Sequence, residues 1–94
     1  MEHTQEVDDL TQLQKLAYEL ATQDYELISA LVKVRIDKGL TQEVVAERIG
    51  ITLESIQEFE AHWSNPTLST LRRYALAVGA NYTHTIQALD GEQE

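Results

Sequence analysis

Sixteen carboxylates, three histidines and no cysteine are the groups in these 94 residues that could hold a metal or move protons. The histidines, His3, His62 and His84, lie far apart, with no helical i,i+4 pair among them. Zinc-type ligand sets and acid–base pairs need their groups close together, so neither is expected. The lack of cysteine excludes a disulfide framework and a thiolate site, and there is no glycine-rich phosphate loop. The carboxylates fall on helical faces and read as solvated. No enzyme activity, metal or cofactor is expected. The chemistry that remains is recognition. The block Arg35 to Glu60 reads as a helix, a three-residue turn (Gly50, Ile51, Thr52) and a second helix. A turn this short, opening on glycine, brings two helices across each other steeply, so that the second can enter a major groove. Ala46 falls at the crossing, where a small side chain permits close approach. Ile51 and Ile56 are placed to pin the turn to the core.

The elements that must hold this block are helical nearly throughout. Val7, Leu10, Leu13, Leu16, Ala17 and Leu20 recur every three or four residues and form one apolar stripe. Thr4 or Thr11 is a candidate cap for that helix. Asp24 is a candidate cap for a second stretch, Tyr25 to Lys38, although no Gly or Pro separates the two and they are also readable as one long helix. Gly39, Gly50 and Gly79 fit positions just past helix ends. Thr41, Thr52 and Thr67 fit N-caps, their hydroxyls accepting from first-turn N–H groups. The expected buried positions are Val44, Val45, Ala46 and Ile49; then Leu53, Ile56 and Phe59 or Glu60; then Leu68, Leu71, Tyr74, Ala75 and Val78. His62 to Pro66 reads as a loop because Pro66 cannot continue a helix. Asn81 to Ala88 alternates in period two and predicts a short strand. A lone strand leaves its backbone groups unpaired, so its expected partner is the same strand of a second copy.

Charge divides the chain in three. Residues 1–32 hold seven acids and one base, a net of −6; residues 33–80 hold six of each; residues 81–94 add three acids. The reading is an acidic N-terminal helix (1–24), a helix-turn-helix domain (25–80), and a C-terminal strand with an acidic tail (81–94). The acids at the ends either keep a small domain soluble or serve a separate task. No apolar run approaches the length of a membrane span. The N-terminal residues, acidic and polar, do not read as a signal peptide, so a cytoplasmic protein is expected.

The sequence resembles the lambda-repressor and Cro-like helix-turn-helix family, often called the Xre family, over roughly residues 27–80. Arg35, Gly39-Leu40-Thr41-Gln42-Glu43, Ala46-Glu47-Arg48-Ile49-Gly50, Ile56, Glu60, Pro66-Thr67-Leu68 and Thr70-Leu71-Arg72-Arg73-Tyr74-Ala75 carry the likeness. The last segment looks most like bacterial regulators and antitoxins. The resemblance implies an all-α lambda-repressor-like bundle that binds double-stranded DNA as a homodimer. It places Thr41 and Gln42 at a phosphate near a helix N-terminus. It places Thr52, Leu53, Glu54, Ser55, Gln57 and Glu58 on or beside the base-reading face, and His62, Trp63, Ser64 and Asn65 against backbone phosphate. Trp63 is expected first as a cover on the core, with contact to DNA or a partner as the alternative. Arg35 and Glu60 are implied as a buried ion pair. Tyr82, His84 and Ile86 mark the expected dimer strand, and the Leu10–Leu20 stripe is expected either to pack on its own domain or to form an alternative seam.

The recognition helix departs from the family in carrying three acids and no base. Glu54 and Glu58 face phosphate repulsion, although a carboxylate can accept from cytosine N4. Lys33, Lys38, Arg48, Arg72 and Arg73 can offset this only from the flanks. Two functions are therefore expected. One is a dimeric DNA-binding transcriptional regulator, repressor or antitoxin-like. The other is a module of the same fold that binds a basic protein, a toxin or regulator, instead of DNA.

Overall fold

The computed structural model describes residues 2–89, with side chains from Leu10 onward. The expectations resting on the side chains of Thr4 and Val7, and on residues 90–94, lie outside the described residues. Among the described residues four helices follow one another: α1 (Glu2–Asp37), α2 (Gln42–Ile49), α3 (Leu53–Glu60) and α4 (Leu68–Val78), and the fold they form is all-helical. No helix is long and apolar enough to cross a membrane among the described residues.

α1 is one unbroken helix of 36 residues. Asp24 caps nothing, because no Gly or Pro interrupts the chain there and the apolar stripe keeps its register across it. At 1.5 Å per residue the rod is about 54 Å long, which accounts for the 58 Å long dimension of the molecule. Only its C-terminal part enters the core, through Ile28 and Leu31. There it meets Val45, Ala46 and Ile49 of α2, Ile56 and Phe59 of α3, and Tyr74, Ala75, Ala77 and Val78 of α4. The Phe59 and Tyr74 rings lie tilted at 4.7 Å between centroids.

The three threonines cap the helices they precede. Thr41 accepts from the Val44 N–H, Thr52 from Ser55 and Thr67 from Thr70, each at 3.1 Å. At the other ends, Gly39, Gly50 and Gly79 all have positive φ. The same backbone closure ends α3, where the N–H of Trp63 reaches the Glu58 carbonyl at 3.0 Å. The left-handed residue there is His62, at φ 64°. A side chain in that conformation is costly, and here it is held by stacking on Tyr25 of α1 at 3.9 Å. Gly50 sits in the turn between α2 and α3 at φ 83° with open space around it. Gly50→Ala therefore meets backbone strain and no clash. It is expected to cost about 1–2 kcal/mol, read as an earlier urea midpoint with unchanged m-value.

Several positions differ from the sequence reading. Residues 80–89 form no strand. A single chain offers this segment no ladder partner, and it runs instead beside α1, sharing a groove with Leu16, Leu20 and Leu27. Leu68 is exposed because it opens α4 at the rim of the bundle, while Leu71 one turn later packs on the core. Trp63 is 81% exposed and covers no core. The short loop leaves it outside, and the core between α3 and α4 holds Phe59 against Tyr74.

Candidate nucleic-acid interface

α3 is held by its inner side. Ile56 is fully buried and Phe59 nearly so, which leaves Glu54, Ser55, Gln57 and Glu58 facing solvent and Leu53 half-buried beside them. The helix thus lies at the surface with its polar face outward, as groove entry requires. The Thr41 and Thr52 hydroxyls lie at the starts of α2 and α3 as caps, and Thr52 also donates to Ser55 Oγ at 2.9 Å. Capping occupies these hydroxyls, so what the two helix starts offer a phosphate is their remaining N–H groups and the positive end of the helix dipole. Ser64 and Asn65 are exposed along with Trp63 in the loop after α3. His62, half-buried against Tyr25, lies 3.4 Å from Ser29 Oγ and is turned toward α1.

Behind α3 lies a polar cluster centred on Glu60. Arg35 grips its carboxylate with two bonds, Nε to Oε2 at 2.7 Å and a terminal nitrogen to Oε1 at 2.9 Å. A further Arg35 nitrogen donates to the Leu40 carbonyl at 2.8 Å. The Tyr74 hydroxyl donates to Oε2 at 2.6 Å and the Gln42 amide to Oε1 at 2.9 Å. The Arg35 and Glu60 side chains are 13% and 8% exposed. Four elements, α1, α2, α3 and α4, are tied together at one carboxylate, which fixes the angle at which α3 leaves the bundle. Sequence reasoning paired Arg35 with Glu60 through the family resemblance but missed Tyr74 and Gln42. A buried tyrosine needs a partner for its hydroxyl, and that was the available signal. Gln42, assigned to a phosphate, uses its amide on Glu60 and points inward.

Burial pushes the Glu60 carboxyl upward, but hydrogen bonds from Arg35, Tyr74 and Gln42 together outweigh it and hold the group below its ordinary value of 4.5. Hydrogen bonding to Glu60 in turn raises Arg35. Burial, followed by the bond to Glu60, raises Tyr74. A lowered carboxyl favours the charged form in the folded state. Its stabilisation is present above the unfolded value and is lost as pH falls through the folded one. The stability gap between the parent chain and Glu60→Gln is therefore expected to be widest near neutrality and to close below pH 4.5, as followed by urea unfolding at a series of pH values.

The flanking cations are largely engaged. Lys38 donates to the Val78 carbonyl at 2.7 Å, Arg48 to Ala77 at 2.7 Å and Arg73 to Ile49 at 2.6 Å. All three thus sit on helix C-terminal carbonyls, where a cation also complements the helix dipole. Lys33 pairs with Asp37 on the exposed surface of α1. Among the described residues Arg72 makes no side-chain hydrogen bond and no ion pair. The outer face of α3 therefore presents Glu54 and Glu58 with no cation on the helix itself.

This arrangement defines a lambda-repressor-like helix-turn-helix protein. Residues 31–82 match the model of the Helix-turn-helix family, more than half of the chain, and the chain belongs to that family. It is 34% identical over 62 residues to an uncharacterised helix-turn-helix-type transcriptional regulator of Sinorhizobium fredii, covering 66% of this chain and 80% of that one. A similar uncharacterised regulator of Methanothermobacter thermautotrophicus is 39% identical over 56 residues, or 60% of this chain and 81% of its own. Antitoxin HigA1 of Mycobacterium tuberculosis is 43% identical over 54 residues, 57% of this chain. The chain spans only 36% of that relative's length. No solved structure matches the chain.

Proposed function

We propose that the chain is a cytoplasmic, sequence-specific DNA-binding transcriptional regulator of the repressor or antitoxin-like kind, without catalytic activity. The observation that carries this is the outward polar face of α3, locked at its angle by the Glu60 cluster within a helix-turn-helix of the matched family. Glu54, Ser55, Gln57 and Glu58 read base edges. The starts of α2 and α3 and the loop Trp63–Asn65 meet backbone phosphate. The regulator relatives support DNA as the partner, and the HigA1 relative supports the antitoxin-like variant.

A single helix-turn-helix reads few base pairs, so the working unit is a homodimer on two half-sites about one helical turn apart. Residues 81–88, with Tyr82, His84 and Ile86, are the proposed seam. The segment carries Ile86 at 91% exposure, and pairing with a second copy supplies the ladder that a lone chain lacks. A chain truncated after residue 80 is expected to sediment as a monomer and to bind operator at least about tenfold more weakly. An unchanged assembly after truncation removes the strand as the seam. The reading as a whole is tested by a mobility shift with duplex from upstream of the chain's own gene at ~50 mM salt. A discrete shifted species is expected, and no binding to any such duplex contradicts it.

The acidic outer face of α3, with three of the flanking cations held by helix carbonyls, favours a second reading. In it the same face binds a basic protein, a toxin or another regulator, in place of DNA. A complex with such a protein that leaves Glu54 and Glu58 solvent-exposed counts against it.

A further inference from the structure

The apolar stripe of α1 continues past the domain it serves. Leu31 and Leu27 pack in or against the core, and the same line of the helix runs on through Asp24, Leu20, Ala17, Leu13 and Leu10 at alternating steps of three and four residues. Leu10, Leu13 and Leu20 are each more than half exposed. At the base of this overhang α1 and residues 83–89 border a groove of about 770 Å³, with Leu16, Leu20 and Leu27 on its helical wall and Glu19 and Asp24 at its edge. An apolar line left open over several helical turns marks a docking surface more often than an accident of composition.

Charge selects the occupant. Residues 1–32 carry a net −6, and Asp24 stands within the apolar line itself, where a leucine would complete it. Two copies of α1 laid together would join −6 to −6 and leave Asp24 of each facing an acid or an apolar seam. A segment with an apolar stripe flanked by Lys or Arg satisfies both the leucines and Asp24. We propose that the exposed line of α1 from Leu10 to Asp24, clear of the 81–88 seam, is a docking site for a basic amphipathic segment of a second protein, separate from the face of α3. This places a basic partner where it leaves Glu54, Gln57 and Glu58 free, so DNA and partner occupy the chain together. It goes beyond the DNA reading and does not depend on it.

The test uses the full chain and a labelled synthetic peptide of about 18 residues built from leucine and lysine in helical register, with a leucine–glutamate peptide of the same pattern as control. Fluorescence anisotropy at about 150 mM salt measures binding. Leu13→Ser with Leu20→Ser is expected to weaken the lysine peptide at least tenfold, and Glu19→Gln with Asp24→Asn at least fivefold. Glu43→Gln with Glu47→Gln, which removes the same two charges from exposed sites on α2, is expected to leave it unchanged. Leu13 and Leu20 lie outside the core, so the variants keep their helicity and their binding to duplex DNA. Loss of duplex binding in the parent chain would remove the DNA reading and leave this proposal standing. Equal weakening by the α2 substitutions would reduce the effect to bulk charge and overturn it. So would absence of lysine-peptide binding, equal binding of the glutamate peptide, or sedimentation showing that the leucine substitutions split a dimer, because a second copy would then be the occupant.

Discussion

Replacing Arg35 with alanine is expected to destabilise the domain by about 3–5 kcal/mol, because it leaves the Glu60 carboxylate buried without its counter-charge. The Tyr74 and Gln42 bonds remain, but neither brings a positive charge, and the Leu40 carbonyl loses its donor as well. Small domains have total stabilities of about 5–15 kcal/mol, so much of the margin is removed. Urea unfolding followed by circular dichroism reads the loss, with Glu60→Leu as the reciprocal change. Arg35→Met combined with Glu60→Leu is expected to cost less than the two single changes summed, since it leaves no charge stranded. A loss below about 1 kcal/mol in Arg35→Ala would mean that the pair behaves as an exposed one and does not fix α3.

The second large effect is electrostatic and concerns binding. Glu54→Gln with Glu58→Gln is expected to raise affinity for non-cognate duplex by roughly 30- to 900-fold at low salt. Each carboxylate near the phosphates opposes binding by on the order of 0.5–1 kcal/mol, and the proposed dimer carries four of them. Affinity for the cognate duplex rises less, because a carboxylate that accepts from cytosine N4 is lost in the same change. The specificity ratio therefore falls while both affinities rise. In the proposed function these acids act against indiscriminate binding, a cost tolerated for selectivity. Unchanged non-cognate affinity in the double variant would show that α3 does not approach the backbone.

Much of the fold was legible because its punctuation is local. Thr41, Thr52 and Thr67 each cap the next helix through their own side chains, and Gly39, Gly50 and Gly79 each adopt the backbone conformation that ends one. His62 carries no local mark as a fourth such residue, since the contacts that hold it, with Tyr25 and Ser29, come from distant α1. Asp24 was readable as a cap, because aspartate caps helices, or as a passing point in one long helix, and the second holds. It lies on an exposed face of a continuous rod, where nothing forces the chain to turn. The alternation at 81–88 signals strand propensity, but a ladder depends on a second backbone, which one chain's pattern cannot supply. The buried side of α3 followed from the period of Ile56 with Phe59 or Glu60, and the resemblance supplied the role of the outward face. The fate of the cations did not: whether Lys38, Arg48 and Arg73 reach a phosphate or a helix carbonyl depends on how α1, α2 and α4 meet, and the sequence carries no local mark of that.

The proposed function requires α3 to meet DNA with its outer face. The most direct test is amide chemical-shift mapping by NMR of the full chain titrated with duplex from its own upstream region at ~50 mM salt. Large shifts are expected at the start of α2, through Thr52–Glu58 and at Trp63–Asn65, with Leu10–Leu20 silent. A titration that saturates while the amides of α3 stay unmoved, or that shifts only α1 and residues 81–89, would contradict the account.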